Sequence, residues 1–512
     1  MRRFGYYRTV ALVVGISFVT RAVAIWLTRP EFVGWFNHSY YYWVQTRGVL
    51  EHGQLPFADL PLLFHLYAGV ARLTQLAGLD AHAAIVHASR GLMSIGPALV
   101  ALPVFVIVRR VFNDRSLRAE AWLLVVVAAF LPLTFVHMPE LLQKNVAGLL
   151  LLAFLMQTTY SWLRTRRTSS LVAAVVAFVL IALTHLGTLL VSVLYVLALG
   201  LAALHEERDR TRLKSFAVLL VGAVSLTVAI LSVFDYSALM RVFHYAGSSL
   251  PNSLIGNVLI ADTAGSALLL SAGIIGPALL AWLLYRAYVL RRRALDASDR
   301  VFWLACLLWS WLLVFPLLDL DIMPRLVLFL PLPALVIAAF HFRYGGRRKL
   351  QVALASLAAA GVLLMTSGEV INLVMLYPGK DEIHAELRDL RDRYDLTSND
   401  YVLTQYAVNP ACNWFLGTRA GLITAFDRKD FGAANRLFVL NLPYSRAAED
   451  VAANHVVTSE TERYEVMRRN IPMPAGAEPD GRYKHLQWYE LESVPYNWRF
   501  DDNGDWIGWS RN

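Results

Sequence analysis

"AWLLVVVAAFLPLTFV", residues 121–136, and "LVAAVVAFVLIAL", residues 171–183, are apolar on every face of a helix. A helix on the surface of a soluble protein repeats its apolar residues with a period near 3.6, and a half-buried strand repeats them with a period of 2. Neither pattern is present, and blocks of the same kind recur along most of the chain. The 512 residues are 57% hydrophobic and 17% charged, which excludes an ordinary soluble protein and reads as a polytopic membrane protein. Counting runs that can cross a hydrocarbon core of about 30 Å gives about eleven spans. They begin near residues 9, 88, 120, 140, 169, 187, 215, 264, 301, 325 and 351.

The basic residues then set an orientation. "MRRFGYYR", "RRVFNDRSLR", "RTRR", "RDRTRLK", "RAYVLRRR" and "RYGGRRK" alternate with loops nearly free of Lys and Arg. The positive-inside rule makes these segments cytoplasmic, so the N-terminus is expected inside, and an odd number of spans puts the tail from about residue 377 outside a plasma (inner) membrane. The formal charge of +9 resides in those short loops, and the tail alone holds more Asp and Glu than Lys and Arg. A nucleic-acid partner is therefore not expected. The first run carries Arg21 and no small-residue cleavage site, and it reads as a retained anchor. Two cysteines, Cys306 and Cys412, cannot frame a disulfide scaffold.

The tail has another texture. "DEIHAELRDLRDRY" places Ile383, Leu387, Leu390 and Tyr394 on one helical face, and "YVLT", "RLFVLN", "HVVT" and "LQWYEL" read as short strands. The turn "YPGKD" at 377–381 is the expected boundary between a membrane domain, 1–376 with an outer loop at 29–87, and an extracytoplasmic mixed α/β domain, 377–512. The expected fold class is thus an all-α polytopic membrane bundle with a small C-terminal α/β domain.

Ionisable residues in or beside spans cost several kcal/mol to insert, on the order of 2.5–3.5 each by insertion scales, and so mark cavities and partners. On this topology they are one-sided. Arg21 falls in the outer half of the first span, Glu140 and Lys144 in the first turns of the fourth, and His185 in the outer turn "LTHLGT". Asp235 opens an outer loop, "DLDIMPR" puts Asp319, Asp321 and Arg325 at another outer turn, and Glu369 ends the last span. No comparable buried set is expected at the inner side. The grouping implies an outward-open polar cavity in which Arg325, Lys144 and Arg21 suit a phosphate. A polyprenyl phosphate, its tail lying in lipid, is the simplest such ligand.

One stretch follows directly on the first span. "WFNHSYYYW", residues 35–43, puts Trp35, Tyr40, Tyr41, Tyr42 and Trp43 where aromatic belts anchor membrane proteins, and where aromatic faces also stack on sugars. The longer segment "FNHSYYYWVQTRGVLEHGQLPFADLPLLFHLYAGVARL", 36–73, resembles the first outer loop of the GT-C fold glycosyltransferases, a superfamily that includes protein mannosyltransferases and aminoarabinose transferases. Tyr40 to Tyr42, Gly53, Asp59 and "LPLL" follow that order, and "ELLQKNVAGLLLLAFL", "LTHLGTLL" and "PRLVLFLPLPALVIAAF" resemble its later spans. The resemblance implies inverting transfer of a sugar from a polyprenyl-phosphate donor to an extracytoplasmic protein, lipid or glycan acceptor, with a place in protein glycosylation or cell-envelope assembly. It also implies a catalytic carboxylate just before the tyrosines, where this chain has Asn37, His38 and Ser39.

Three groups are candidates for the base that takes the acceptor's proton: Asp59, Glu31 and His38. Arg325 and Lys144, with Arg21, His185, Glu140 and Tyr41, are the candidate substrate-binding residues. Asp319 and Asp321 form an Asp-x-Asp pattern of the kind that holds Mg²⁺ or Mn²⁺, although a salt bridge with Arg325 is the simpler use. Two other readings differ in chemistry. A surface-polysaccharide polymerase or ligase would carry a large outer loop rich in Arg and His, and 235–263 has one of each. A catalytically inactive GT-C homologue would bind a lipid-linked glycan without turnover. A transporter would need polar groups at the midplane and internal repeats, which the sequence lacks.

Overall fold

The structure, a computed structural model, describes residues 2–28, 39–57, 59–113, 117, 119–131, 143–206, 221–222, 225, 227–229, 232, 278, 281–315, 326, 328–344, 380–404, 409–422, 436–441, 480–482, 487–490, 496–500 and 506–511. The chain divides into two compact units, Met1–Leu27 with His52–Val370, and Thr28–Glu51 with Ile371–Asn512.

The first unit is helical. Its elements are α1 (Arg2–Thr28), α3 (Leu62–Leu76), α4 (Ala81–Leu99), α5 (Ala101–Val111), α6 (Ala119–Ala129), α7 (Gln143–Thr165), α8 (Thr168–Ala182), α9 (Leu186–Glu206), α10 (Ala297–Leu313) and α11 (Pro331–Tyr344); α2 (Ser39–His52) lies mostly in the second unit. Among the described residues four helices are long and apolar enough to cross a membrane: Gly5–Trp26, Ala81–Val111, Gln143–Thr165 and Leu186–Glu206. Ala119–Ala129 and Thr168–Ala182 are shorter apolar helices. The spans expected near 215, 264 and 351 lie outside the described residues, apart from scattered positions at 221–232 and 278. One apolar core runs through α5 to α11. On α1, Leu12, Ile16, Val19, Val23 and Trp26 are exposed along one stripe, as a helix facing lipid requires.

Local signals explain where these helices start and turn. Asp80 caps α4 by accepting from the Ala83 N–H at 2.9 Å, and Asp296 caps α10 by accepting from the Asp299 N–H at 2.8 Å. Pro97 and Pro103 flank the turn at Val100, where the long Ala81–Val111 helix is interrupted. Between α7 and α8, Arg166 takes a left-handed φ of 57° and lets the chain reverse within two residues. Helices α7 and α9 touch through Gly148, where a Cβ would fall onto Thr188 Oγ1. Only glycine permits that approach.

The second unit is mixed α/β. Helices α12 (Lys380–Arg393) and α13 (Asn409–Phe415) accompany a five-stranded sheet of order β2-β1-β3-β5-β4, where β1 is Tyr401–Thr404, β2 Arg419–Leu422, β3 Leu437–Asn441, β4 Gly481–Arg482 and β5 Gln487–Glu490. The first three strands pair in parallel, β3 with β5 and β4 with β5 antiparallel, and β6 (Tyr496–Phe500) pairs with β7 (Trp506–Arg511) as a separate ribbon. The helix and the strands read at 401, 436 and 486 therefore occur, and "HVVT" lies outside the described residues. Asp400 grips the Arg436 fork through both oxygens at 2.9 Å and accepts from the Thr397 N–H at 2.7 Å. Burial opposes its charge, but the Arg436 and Thr397 bonds prevail and hold its pKa below the usual carboxylate value. Cys306 and Cys412 are both free and buried, and burial pushes the Cys412 thiol up to about 12.

The aromatic run of the first loop belongs to this second unit. Tyr40 hydrogen-bonds His384 Nε2 at 2.7 Å and packs edge-on against Phe415, while Trp43 meets Trp414 at 5.2 Å. Arg47 donates to the Asn413 carbonyl at 2.8 Å and lies over Trp414. Tyr40, Tyr42 and Trp43 are buried, so the membrane-belt expectation is corrected for these three, and Tyr40 and Trp43 join α2 to α12 and α13. A helix with six buried residues in the run Tyr40–Thr46, all but Tyr41, carries too much apolar surface to stand alone in a loop.

Candidate functional site

Asp59 sits just before α3, and its backbone is fixed twice. Leu60 is buried in the main core, and the Leu62 N–H donates to the Leu183 carbonyl at 3.0 Å, tying the start of α3 to the end of α8. The Leu60 N–H donates to Asp59 Oδ1 at 2.7 Å. The other oxygen, Oδ2, is ion-paired with Lys144 Nζ. Both side chains are mostly buried, with 15% of Asp59 and 9% of Lys144 exposed. The ammonium also lies 5.0 Å from the centre of the Phe64 ring, an apolar wall that strengthens its charge interactions.

Lys144 lies in the first described turn of α7. Beside it Gln143 is buried and accepts from Tyr67 OH at 2.8 Å and from Ser89 Oγ at 3.4 Å. One turn along α7, Gly148 brings in Thr188, and the Thr188 N–H donates to His185 Nδ1 at 3.2 Å. Accepting at Nδ1 places the proton of the neutral ring on Nε2. Asp59, Lys144 and His185 thus occupy one end of the α7 and α9 pair. Gln143, Tyr67 and Ser89 belong to the same end and were not singled out in the sequence, where each reads as a lone polar residue in an apolar helix.

Arg21 is buried in α1; its Nη2 donates to the Ala129 carbonyl at 2.8 Å and its Nε to Ser17 Oγ at 3.2 Å. These contacts clasp the end of α6. Tyr41 is half-buried in the second unit, and its hydroxyl accepts from Gln45 Nε2 at 2.9 Å. Glu31, His38, Glu140, Asp319, Asp321 and Arg325 lie outside the described residues, as do Asp235 and Glu369. Among the described residues no three His, Cys, Asp or Glu side chains gather as a metal-binding group.

The opposite end of the same helices corrects one expectation: it holds a buried charged set of its own. The Glu206 side chain is fully buried; Oε2 accepts from Arg292 Nε and Arg300 Nε, each at 3.0 Å, and Oε1 from Tyr288 OH at 2.6 Å. Asp299 is 1% exposed and accepts from Tyr160 OH at 2.6 Å. Arg164 reaches Asp296 Oδ2 at 3.4 Å and the Arg110 carbonyl at 2.6 Å. These carboxylates sit at the ends of apolar runs and read as loop charges until the packing of α7, α9 and α10 encloses them.

No protein-family model matches the chain, and no curated protein matches its sequence. Solved structures do match. ArnT from Cupriavidus metallidurans bound to undecaprenyl phosphate superposes with a TM-score of 0.53 at 13% identity, over 93% of this chain and 97% of that one. Its apo state gives 0.52 at 12% identity over 96% and 98%. The archaeal oligosaccharyltransferase AglB from Archaeoglobus fulgidus, in complex with an inhibitory peptide and a dolichol-phosphate, gives 0.50 at 12% over 84% and 69%. At such identities the likeness is one of fold, and it establishes that this chain folds as the GT-C integral membrane glycosyltransferases do.

Proposed function

We propose that the protein is an inverting membrane glycosyltransferase that moves a sugar from a polyprenyl-phosphate carrier to an acceptor at the outer surface of the plasma (inner) membrane. The observation that carries this reading is the Asp59–Lys144 pair: a carboxylate and an ammonium, both mostly buried, the ammonium in the first described turn of a helix long and apolar enough to span. Two of the matching structures hold polyprenyl phosphates, undecaprenyl phosphate in ArnT and a dolichol-phosphate in AglB. In this reading Lys144 meets the donor phosphate, with His185 and Arg325 completing its shell. Asp59 receives the acceptor's proton as the acceptor attacks the anomeric carbon. The membrane domain spans 1–376, and the domain at 377–512, lying outside the membrane with α2 built into it, selects the acceptor. Asp319 and Asp321 are the residues that would hold a divalent cation.

The test is sugar release by the purified full chain given radiolabelled polyprenyl-phosphate sugars, a range of sugars and acceptors being offered. Asp59→Asn is expected to abolish release while Glu31→Gln and His38→Ala retain it, and Arg325→Ala is expected to raise the donor KM. Binding of the carrier without release by the native chain across the panel would instead make it an inactive homologue.

A further inference from the structure

We infer that Lys144 is a latch on the general base, and that the donor's phosphate opens it. The inference rests on the donor class proposed above. With Lys144 donating to Oδ2 and the Leu60 N–H donating to Oδ1, each oxygen of Asp59 holds a donor, and the ammonium stands against Oδ2, where the acceptor's proton has to arrive. The two sides of the pair differ in freedom. Asp59 is anchored through buried Leu60 and the Leu62 to Leu183 hydrogen bond, so its carboxylate stays where the backbone puts it. Lys144 carries a compact charge on a four-carbon stem with three donors. An incoming phosphate offers that ammonium a second anionic partner, and the flexible member of the pair turns to it.

The reaction then has an order built in. The phosphate of the sugar donor takes Lys144, and Oδ2 of Asp59 becomes open to the acceptor. The acceptor's O–H or N–H gives its proton to Oδ2 as its heteroatom bonds the anomeric carbon. The bond from that carbon to the phosphate oxygen breaks, and its electron pair stays on the phosphate, whose new charge faces Lys144. When the polyprenyl phosphate leaves and the proton passes to solvent, the Lys144–Asp59 pair re-forms. A donor-free site is thus protected from activating water or acceptor uselessly.

The pair therefore competes with the carrier for Lys144, and competition has a sign. The experiment measures binding of radiolabelled undecaprenyl phosphate to the full chain in detergent, for the native protein, Asp59→Asn, Lys144→Met and the double variant, each first checked for monodisperse elution. The latch predicts that Asp59→Asn tightens binding about tenfold, that Lys144→Met weakens it about tenfold, and that Asp59→Asn has no effect in the Lys144→Met background. Equal or weaker binding by folded Asp59→Asn overturns the latch while leaving the donor class standing. No binding by the folded native chain overturns the donor class and the latch with it. Lys144→Arg serves where Asp59→Asn does not fold. A guanidinium fork spans carboxylate and phosphate together, so this variant is expected to bind the carrier at least as well as native and to turn over at least about tenfold more slowly. Native turnover by Lys144→Arg contradicts the latch.

Discussion

At one end of the α7 and α9 pair a carboxylate faces a lysine on a flexible stem; at the other, about 34 Å along a 23-residue helix, Glu206 faces two arginines and a tyrosine. The Glu206 side chain is fully buried and that of Asp59 mostly so, yet their partners differ in kind. Arg292, Arg300 and Tyr288 come from chain segments far from Glu206 in sequence, and together they lock α9 to α10 and to the helical segment 281–291. Such a set stabilises by being complete, and replacing one member strands the rest in low dielectric. Asp59 meets a lysine on a flexible stem, which suits exchange of partners. Buried charge alone therefore does not separate a site from a brace, whereas the stiffness of the cationic partner does.

Substitution at the two ends tests that distinction. The largest effect is expected on chemistry: Asp59→Asn should lower sugar transfer by about 10²–10⁴-fold, measured per folded molecule. The next is on stability. Glu206→Ala leaves Arg292 and Arg300 without their shared carboxylate and should cost about 3–5 kcal/mol, read from thermal unfolding in detergent, while the molecules that stay folded keep their turnover. Gly148→Val would thrust side-chain atoms onto Thr188 and should cost about 1–3 kcal/mol of overpacking; because Gly148 holds Lys144 and His185 at one end, carrier affinity should fall with it.

A smaller effect is expected in the second unit. The folded pKa of Asp400 is lowered, so its contribution is fully present above the unfolded carboxylate value near 3.9 and is lost as pH falls through the folded value. Asp400→Asn should remove about 1–3 kcal/mol at neutral pH and flatten the acid limb of the tail domain's unfolding curve.

The sequence made the spans legible because lipid imposes the simplest rule there is, apolarity on all faces, and α7 and α9 obey it. It made the tail's helix and three of its strands legible through periodicity. Lys144 was legible as a charge that a span tolerates only for a reason and Asp59 as a carboxylate of the first outer loop, but their pairing, across 85 positions of sequence, was not. The destination of "YYYW" was hidden for the same cause. Tyr40 and Trp43 look like a membrane anchor until His384, Phe415 and Trp414 are brought to them from the far end of the chain. Glu206 and Asp299 were not singled out, because burial of a loop-end carboxylate depends on which helices meet, and no local pattern records that.

The central claim is that sugar transfer takes place at the Asp59–Lys144 end. The most direct measurement compares three purified proteins, native, Asp59→Asn and Glu206→Gln, for sugar release from radiolabelled undecaprenyl-phosphate sugars, normalised to folded protein. The account predicts release by the native chain and by Glu206→Gln, and none above background by Asp59→Asn. Release by folded Asp59→Asn at the native rate would contradict it.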